Sequence, residues 1–237
     1  MKTNTAIITG AGRGIGRAIA LALAGKGLHV GLLARSEDQL KAVADEIHAG
    51  GGTACYTVCD LADLNTIPSA FHILQAQLGN VDVLVNNAGL FVERSVEQLD
   101  CREWERAIRV NLTAPFLLSQ LALPFMKKAG GGRIIHIAST ASTQGYLHQS
   151  AYCASKHGLL GFARSLALEA KKENIHVHTL CPGGVDTDMI QGTQLAKRMA
   201  GQPMIQSEDM AKMVLFLLEQ PENIDLPELV VRRFIPE

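Results

Sequence analysis

Thr5-Ala6-Ile7-Ile8-Thr9-Gly10-Ala11-Gly12-Arg13-Gly14-Ile15-Gly16 is the stretch on which the fold reading turns. Thr5–Thr9 reads as a strand, apolar enough to be covered on both faces, and Ile15–Ala24 carries helical spacing. The glycines between them let the main chain turn tightly and lie close to a ligand. The free N–H groups and positive dipole end of the helix favour an anion such as a pyrophosphate. The spacing is TGxxxGxG rather than the GxGxxG of the standard dinucleotide fingerprint. Alone, such a turn has a bland alternative, a tight connection with no ligand. Its place between strand and helix favours a dinucleotide site built from Gly10, Gly12, Arg13, Gly14, Ile15 and Gly16.

Outward from this stretch the pattern repeats. His29–Leu33, Thr53–Val58, Val81–Val85, Ile134–Ala138 and His176–Leu180 read as further strands. Helical spacing fills Glu37–Ala49, Thr66–Leu78, Arg102–Lys127 and Ala151–Lys172 between them. Ser36 with Gln39 gives a capping-box signal, and Asp100 with Glu103 an acidic analogue. Strand–helix alternation predicts right-handed crossovers and an α/β fold: one Rossmann-like, doubly wound parallel sheet of about seven strands, helices on both faces. Pro115 lacks an N–H and is expected to kink or split the fourth helical pattern just before it, where Asn111 lies. Residues 1–237 read as one domain. Met189–Gln206 is polar, weakly patterned and rich in Gly and Met, so it reads as a loop or short mobile helix that could act as a substrate lid.

Bulk properties narrow the function. The 237 residues are 47% hydrophobic and 19% charged, which excludes a disordered or fibrous chain. A net charge of −1 and 5% aromatics give no case for nucleic acid. No apolar run approaches the roughly 20 residues of a membrane helix. Met1–Thr5 leads directly into a short apolar run, unlike a secretory signal. Five scattered cysteines form no CxxC pair and read as buried reduced thiols of a cytoplasmic protein. His136, His148, His157, His176 and His178 lack metal-ligand spacing, so no metal is expected.

Arg35 follows the second strand, where NAD-binding folds often place a carboxylate on the ribose 2′-hydroxyl. A guanidinium there suits a 2′-phosphate, and Arg13 could join it, so NADP(H) is the expected cofactor. The alternative is two solvated surface arginines. Tyr152 and Lys156 share a helix face by their spacing, and an ammonium beside a phenol lowers its pKa from about 10. Ser139 closes the fifth strand at the edge where open α/β sheets bind ligands, and its hydroxyl can donate to a carbonyl oxygen. Asn86-Asn87-Ala88-Gly89 ends the fourth strand at that edge.

TGAGRGIG, Asp60, NNAG, Asn111, Ser139, YCASK and Pro182-Gly183-Gly184-Val185-Asp186-Thr187 stand in the order and spacing of the short-chain dehydrogenase/reductases. The chain resembles that family strongly over about residues 5–190. The resemblance implies hydride transfer between nicotinamide and a carbonyl carbon. Tyr152 would act as acid or base, Ser139 would polarise the oxygen, and Lys156 would tune Tyr152 and hold the ribose. Asn111 would support a water that relays protons. It further implies cofactor contacts from Asp60 and Leu61 near the adenine, from Asn87, Ala88 and Gly89 on the adenosine side, and from Pro182, Gly183, Val185 and Thr187 towards the carboxamide.

Within the family the body looks most like the 3-oxoacyl-[acyl-carrier-protein] reductases of fatty acid biosynthesis. The expected substrate is a small-molecule or acyl-thioester ketone, with acyl carrier protein as a possible docking partner. Two departures keep alternatives open. Lys128-Ala129 and Lys172-Glu173 stand where carrier-docking members usually have arginines. Leu226–Phe234 resembles enzymes that oxidise 3-hydroxy acids or reduce sepiapterin-like ketones. A non-catalytic NADP-binding redox sensor is a further alternative. The family resemblance and the broad apolar surfaces of Phe116–Leu123 and Leu159–Ala170 imply a homodimer or homotetramer.

Overall fold

The computed structural model describes residues 4–235. The reading of the N-terminus as lacking a secretory signal therefore rests partly on residues 1–3, which lie outside the described residues. Seven strands form one parallel sheet in the order β3-β2-β1-β4-β5-β6-β7. They are β1 (Thr5–Thr9), β2 (His29–Ala34), β3 (Thr53–Val58), β4 (Val83–Asn86), β5 (Gly132–Ile137), β6 (Ile175–Pro182) and β7 (Glu228–Val231). The helices are α1 (Gly14–Gly25), α2 (Glu37–Ala49), α3 (Ile67–Leu78), α4 (Cys101–Ile108), α5 (Ala114–Lys128), α6 (Ser150–Ala170), α7 (Gln194–Met199) and α8 (Ser207–Glu219).

The pleat of β1 explains the layering. Ala6 and Ile8 enter a core with α1, α2 and α8, whereas Ile7 faces the opposite core with α3, α5 and α6. With both faces covered, the strands need no polar alternation. Strand order reverses beside β1: β2 and β3 lie to one side, β4 to β7 to the other. The crevice beyond the carboxyl ends of β1 and β4 is thus the switch point where such sheets bind ligands.

At Pro115 the expected break is present. α4 and α5 are separated by a π-helical turn, Arg109–Thr113, and Pro115 sits in the first turn of α5, where its missing N–H costs nothing. Asp100 caps α4 by accepting from Arg102 N at 2.7 Å, but Glu103 turns towards Arg94 instead of closing the box. The Ser36–Gln39 box does not form, because Gln39 packs beneath the glycine turn at Gly12. Cys101 is exposed at the start of α4, so not all thiols are buried.

The two apolar helix surfaces are absorbed more fully than the sequence suggests. Leu118, Ala163, Leu166 and Ala170 are buried in the core, leaving Phe116 at 42% and Leu168 at 79% exposed. Among the described residues no helix is long and apolar enough to cross a membrane. Nor do three or more His, Cys, Asp or Glu side chains group as a metal site there.

Candidate active site

A cleft of about 1060 Å³ opens at the carboxyl edge of the sheet. Its walls include Gly10, Gly12, Arg13, Gly14, Ile15, Arg35, Asp60, Leu61, Asn87, Ala88, Gly89, Ser139, Tyr152, Lys156, Pro182, Gly183, Val185 and Thr187. Of the residues singled out from the sequence, Gly16 and Asn111 lie behind this wall.

The glycine turn is fixed from three sides. Gly10 N donates to Leu33 O at the end of β2 (2.7 Å). The buried Thr9 hydroxyl accepts from Asn87 N and Ala88 N, both at 3.0 Å. The Asn87 amide returns a bond to Thr9 O at 2.9 Å. Gly10 has φ +66° and Gly14 φ +53°, conformations that favour glycine. Gly16 is glycine for space: a Cβ there would lie 2.2 Å from Gly10 O. α1 has no side-chain cap and no acidic residue in its first turn. Its leading N–H groups therefore face the cleft without a side-chain acceptor, the arrangement that takes an anion.

Arg35 is exposed at the cleft wall. Arg13 also lines the cleft and pairs with Asp188 at 3.3 Å, both more than half exposed. Such a pair holds little energy and yields readily to a phosphate.

At the other end, α6 carries Tyr152 and Lys156 on one face. The Lys156 ammonium lies 5.8 Å from the Tyr152 ring centre and donates to Ile137 O on β5 at 2.9 Å. Ser139 follows β5, its hydroxyl accepting from Ala141 N at 3.1 Å. Burial pushes the Tyr152 phenol up to about 12, with the Ser139 hydroxyl pulling the other way. Desolvation of the phenolate dominates, and the lowering expected from Lys156 is not seen. Burial also pushes Lys156 down to about 8. The resulting pair is a phenol that keeps its proton and an ammonium poised near neutrality.

Asn111, fully buried in the π-helical turn, holds the loop after β4. Its Oδ1 accepts from Leu90 N (2.7 Å), and its Nδ2 donates to Leu90 O (2.9 Å) and Ser155 Oγ (2.9 Å). Ser155 in turn donates to Tyr152 O at 2.7 Å. Both amide protons of Asn111 are thus used, and its side chain retains no donor for a water. The side chain ties the loop after β4 to α6.

Several cleft residues escaped the sequence reading. Phe91 packs edge-to-face on Tyr152 with centroids 5.1 Å apart. Gln149, three residues before Tyr152, lines the cleft at 4% exposure, and its side-chain amide has no partner among the described residues. Arg106, Arg198, Arg232 and Arg233 line the cleft as well. Only the i, i+3 relation of Gln149 to Tyr152 was visible as a signal.

The chain matches the family model described as short chain dehydrogenase over residues 4–198. It is 41% identical over 184 residues to the 3-oxoacyl-[acyl-carrier-protein] reductase FabG of Escherichia coli (strain K12), covering 78% of this chain and 74% of that one. A metagenomic short-chain oxidoreductase solved in complex with NADP superposes with a TM-score of 0.86 at 35% identity, covering 98% of both chains. A variant of the actinorhodin polyketide ketoreductase solved with NADPH gives 0.88 at 32% identity, over 97% of this chain and 96% of the other.

Proposed function

Because the chain belongs to the short-chain dehydrogenase family, we propose that it is an NADPH-dependent reductase that turns a 3-oxoacyl thioester-type ketone into the secondary alcohol. One observation carries this reading: Ser139, Tyr152 and Lys156 meet at the wall of the cleft that the uncapped glycine turn opens.

The residues present fit the cofactor. The first turn of α1 would take the pyrophosphate, Arg35 and a released Arg13 the 2′-phosphate, and Asp60 with Leu61 the adenine end. Asn87 to Gly89 would wall the adenosine side, and Pro182, Gly183, Val185 and Thr187 the nicotinamide end. When bound, the dinucleotide supplies the hydride. The chain supplies the rest. Ser139 donates a hydrogen bond to the substrate oxygen and so polarises the carbonyl. Tyr152, protonated across the working pH range, gives its proton to that oxygen as charge develops. Lys156, a cation below about pH 8, favours the phenolate left behind. Asn111 keeps α6 and the loop after β4 in register.

The substrate class draws on Gln149. Its unpartnered amide lines the same cleft as Tyr152 and suits a second oxygen on the substrate, as a 3-oxo thioester presents. The free-acid alternative has support of its own. Arg106 and Arg232 line the cleft without an acidic partner among the described residues, which favours a carboxylate. The whole chain is proposed as one domain, with residues 189–206 as a lid, working in the cytoplasm as a homodimer or homotetramer. Phe116 and Leu168 would be covered in that assembly, a point light scattering decides.

A panel of acetoacetyl thioesters, free 3-oxo acids and simple ketones, each with NADPH and NADH, tests the function. Fastest turnover of thioesters with NADPH is expected. Preference for free acids moves the assignment to the second reading, and absence of turnover with every ketone removes the reductase reading.

A further inference from the structure

Residues 90–94 form a short strap across the site, held at both ends. Leu90 is gripped at N and O by the Asn111 amide. At the far end Arg94 N donates to His148 O at 2.7 Å, and Arg94 bridges to Gln149 just before α6. Between these anchors Phe91 rests on the Tyr152 ring. Two residues on, the Glu93 side chain, only 8% exposed, reaches a segment about one hundred residues later. Its Oε2 accepts from Gln194 N at 2.8 Å and Leu195 N at 3.3 Å. Its Oε1 takes Arg198 at 3.0 Å. All three of these bonds go to α7.

We propose that Glu93 is a positioning residue that sets residues 189–206 over the cleft and registers them to Tyr152. α7 is short, only Gln194–Met199, and the sole residue buried in it is Met199. A helix of that length does not hold itself in water and takes its place from tertiary contacts. Glu93 provides three such contacts from one buried carboxylate, and the same strap carries Phe91 to the catalytic ring. Leu195, Arg198 and Met199, which line the cleft, therefore stand at a fixed offset from Tyr152. Removing the carboxylate frees α7 from the strap while leaving Asn111, Phe91 and Tyr152 where they are. The consequence falls on how firmly a ketone is enclosed rather than on the proton transfer itself.

This inference rests on the reductase reading for its kinetic part only. In the full-length protein, Glu93→Gln keeps size and one acceptor oxygen but loses the charge, whereas Glu93→Ala removes all three contacts. Amide hydrogen exchange on the protein alone is expected to accelerate in 194–199 in both variants and to stay unchanged in α1 and α6. With NADPH and an acetoacetyl thioester, ketone KM should rise roughly 10- to 100-fold, the scale of a lost charge-assisted bond, while kcat holds within about threefold. Arg198→Gln combined with Glu93→Gln should cost less than the two added together, since they share one contact. Wild-type exchange in 194–199 for both Glu93 variants overturns the proposal. So does a fall in kcat with exchange and KM unchanged, which would place Glu93 in the chemical step. The exchange measurement needs no turnover, so a wild-type protein that reduces no ketone would refute the reductase reading and leave this one standing.

Discussion

Gly16→Ala puts one methyl group where the glycine turn and the loop after β4 cross. The new Cβ would lie 2.2 Å from Gly10 O, 2.7 Å from Gly10 C and 2.5 Å from Asn87 Nδ2. Carbon contacts settle at about 3.5–4.0 Å, so the nearest atoms must retreat by about 1 Å. Two of the three are main chain and cannot rotate away. Overpacking costs about 1–3 kcal/mol and occasionally more, and the rigidity of these neighbours places this case at the upper end. Helix propensity returns up to about 1 kcal/mol for Gly→Ala, leaving a net loss near 2 kcal/mol. For a chain of this size that lowers Tm by about 4–8 °C. Gly25→Ala, at the far end of the same helix with nothing within 4 Å of its Cβ, is the control and should hold or raise Tm. Thermal denaturation followed by circular dichroism reads the first effect. Fluorescence titration with NADPH reads the second, a loss of about tenfold or more in affinity confined to Gly16→Ala, because the turn that moves carries the proposed pyrophosphate site. A Gly16→Ala protein that matches wild type in both Tm and NADPH affinity refutes the crowding argument.

Tyr152→Phe should lower kcat by about 10²-fold or more while NADPH titration is unchanged, since only the proton donor is lost. The kcat/KM profile for reduction should fall as pH rises through about 8, where Lys156 loses its proton, and a profile flat from neutrality into the alkaline range contradicts that assignment. Lys156→Met should abolish turnover yet raise Tm at neutral pH. The folded Lys156 pKa lies below its unfolded value of 10.5, so the burial penalty is full below about pH 8 and is relieved as pH climbs towards 10.5. The pKa difference, at 1.36 kcal/mol per unit and less about 1 kcal/mol for the bond to Ile137 O, gives a gain on the order of 2 kcal/mol that calorimetry should see shrink at alkaline pH. Arg35→Asp should weaken NADPH and favour NADH relatively, and equal wild-type kcat/KM for the two cofactors would remove the argument for the 2′-phosphate site.

The fold was legible where period and punctuation agreed. β1, its glycine turn and α1 stand where the apolar run, the glycines and the helical spacing placed them, because all three signals are local. Pro115 foretold the split helix for the same reason. α8 was missed although Met210, Val214 and Leu217 recur at helical spacing, since its box opens on Gln206, an unusual capping residue, with Asp209 closing it. β7 is four residues at a sheet edge, partly exposed, and too short for a periodic signal. In the site, residue types and order pointed to Tyr152, Lys156 and Ser139. Their electrostatics did not follow from sequence, because burial rather than the neighbouring ammonium sets the Tyr152 phenol. Glu93 was unreadable for a different reason: its partners lie 101–105 positions away, and no local pattern connects them.

The parallel course of all seven strands also sorts the two ends of the chain. β1 begins at the edge remote from the cleft, where Asn4 N and Thr5 N are held by Asp82 at 2.8 and 3.0 Å. β7 runs the same way and delivers Arg232, Arg233 and Ile235 to the cleft wall. A fluorescent group attached at Ile235 would therefore sit beside the cleft. One attached at Asn4 would sit at the opposite edge of the sheet, the side from which to capture or immobilise the protein with the cleft left open.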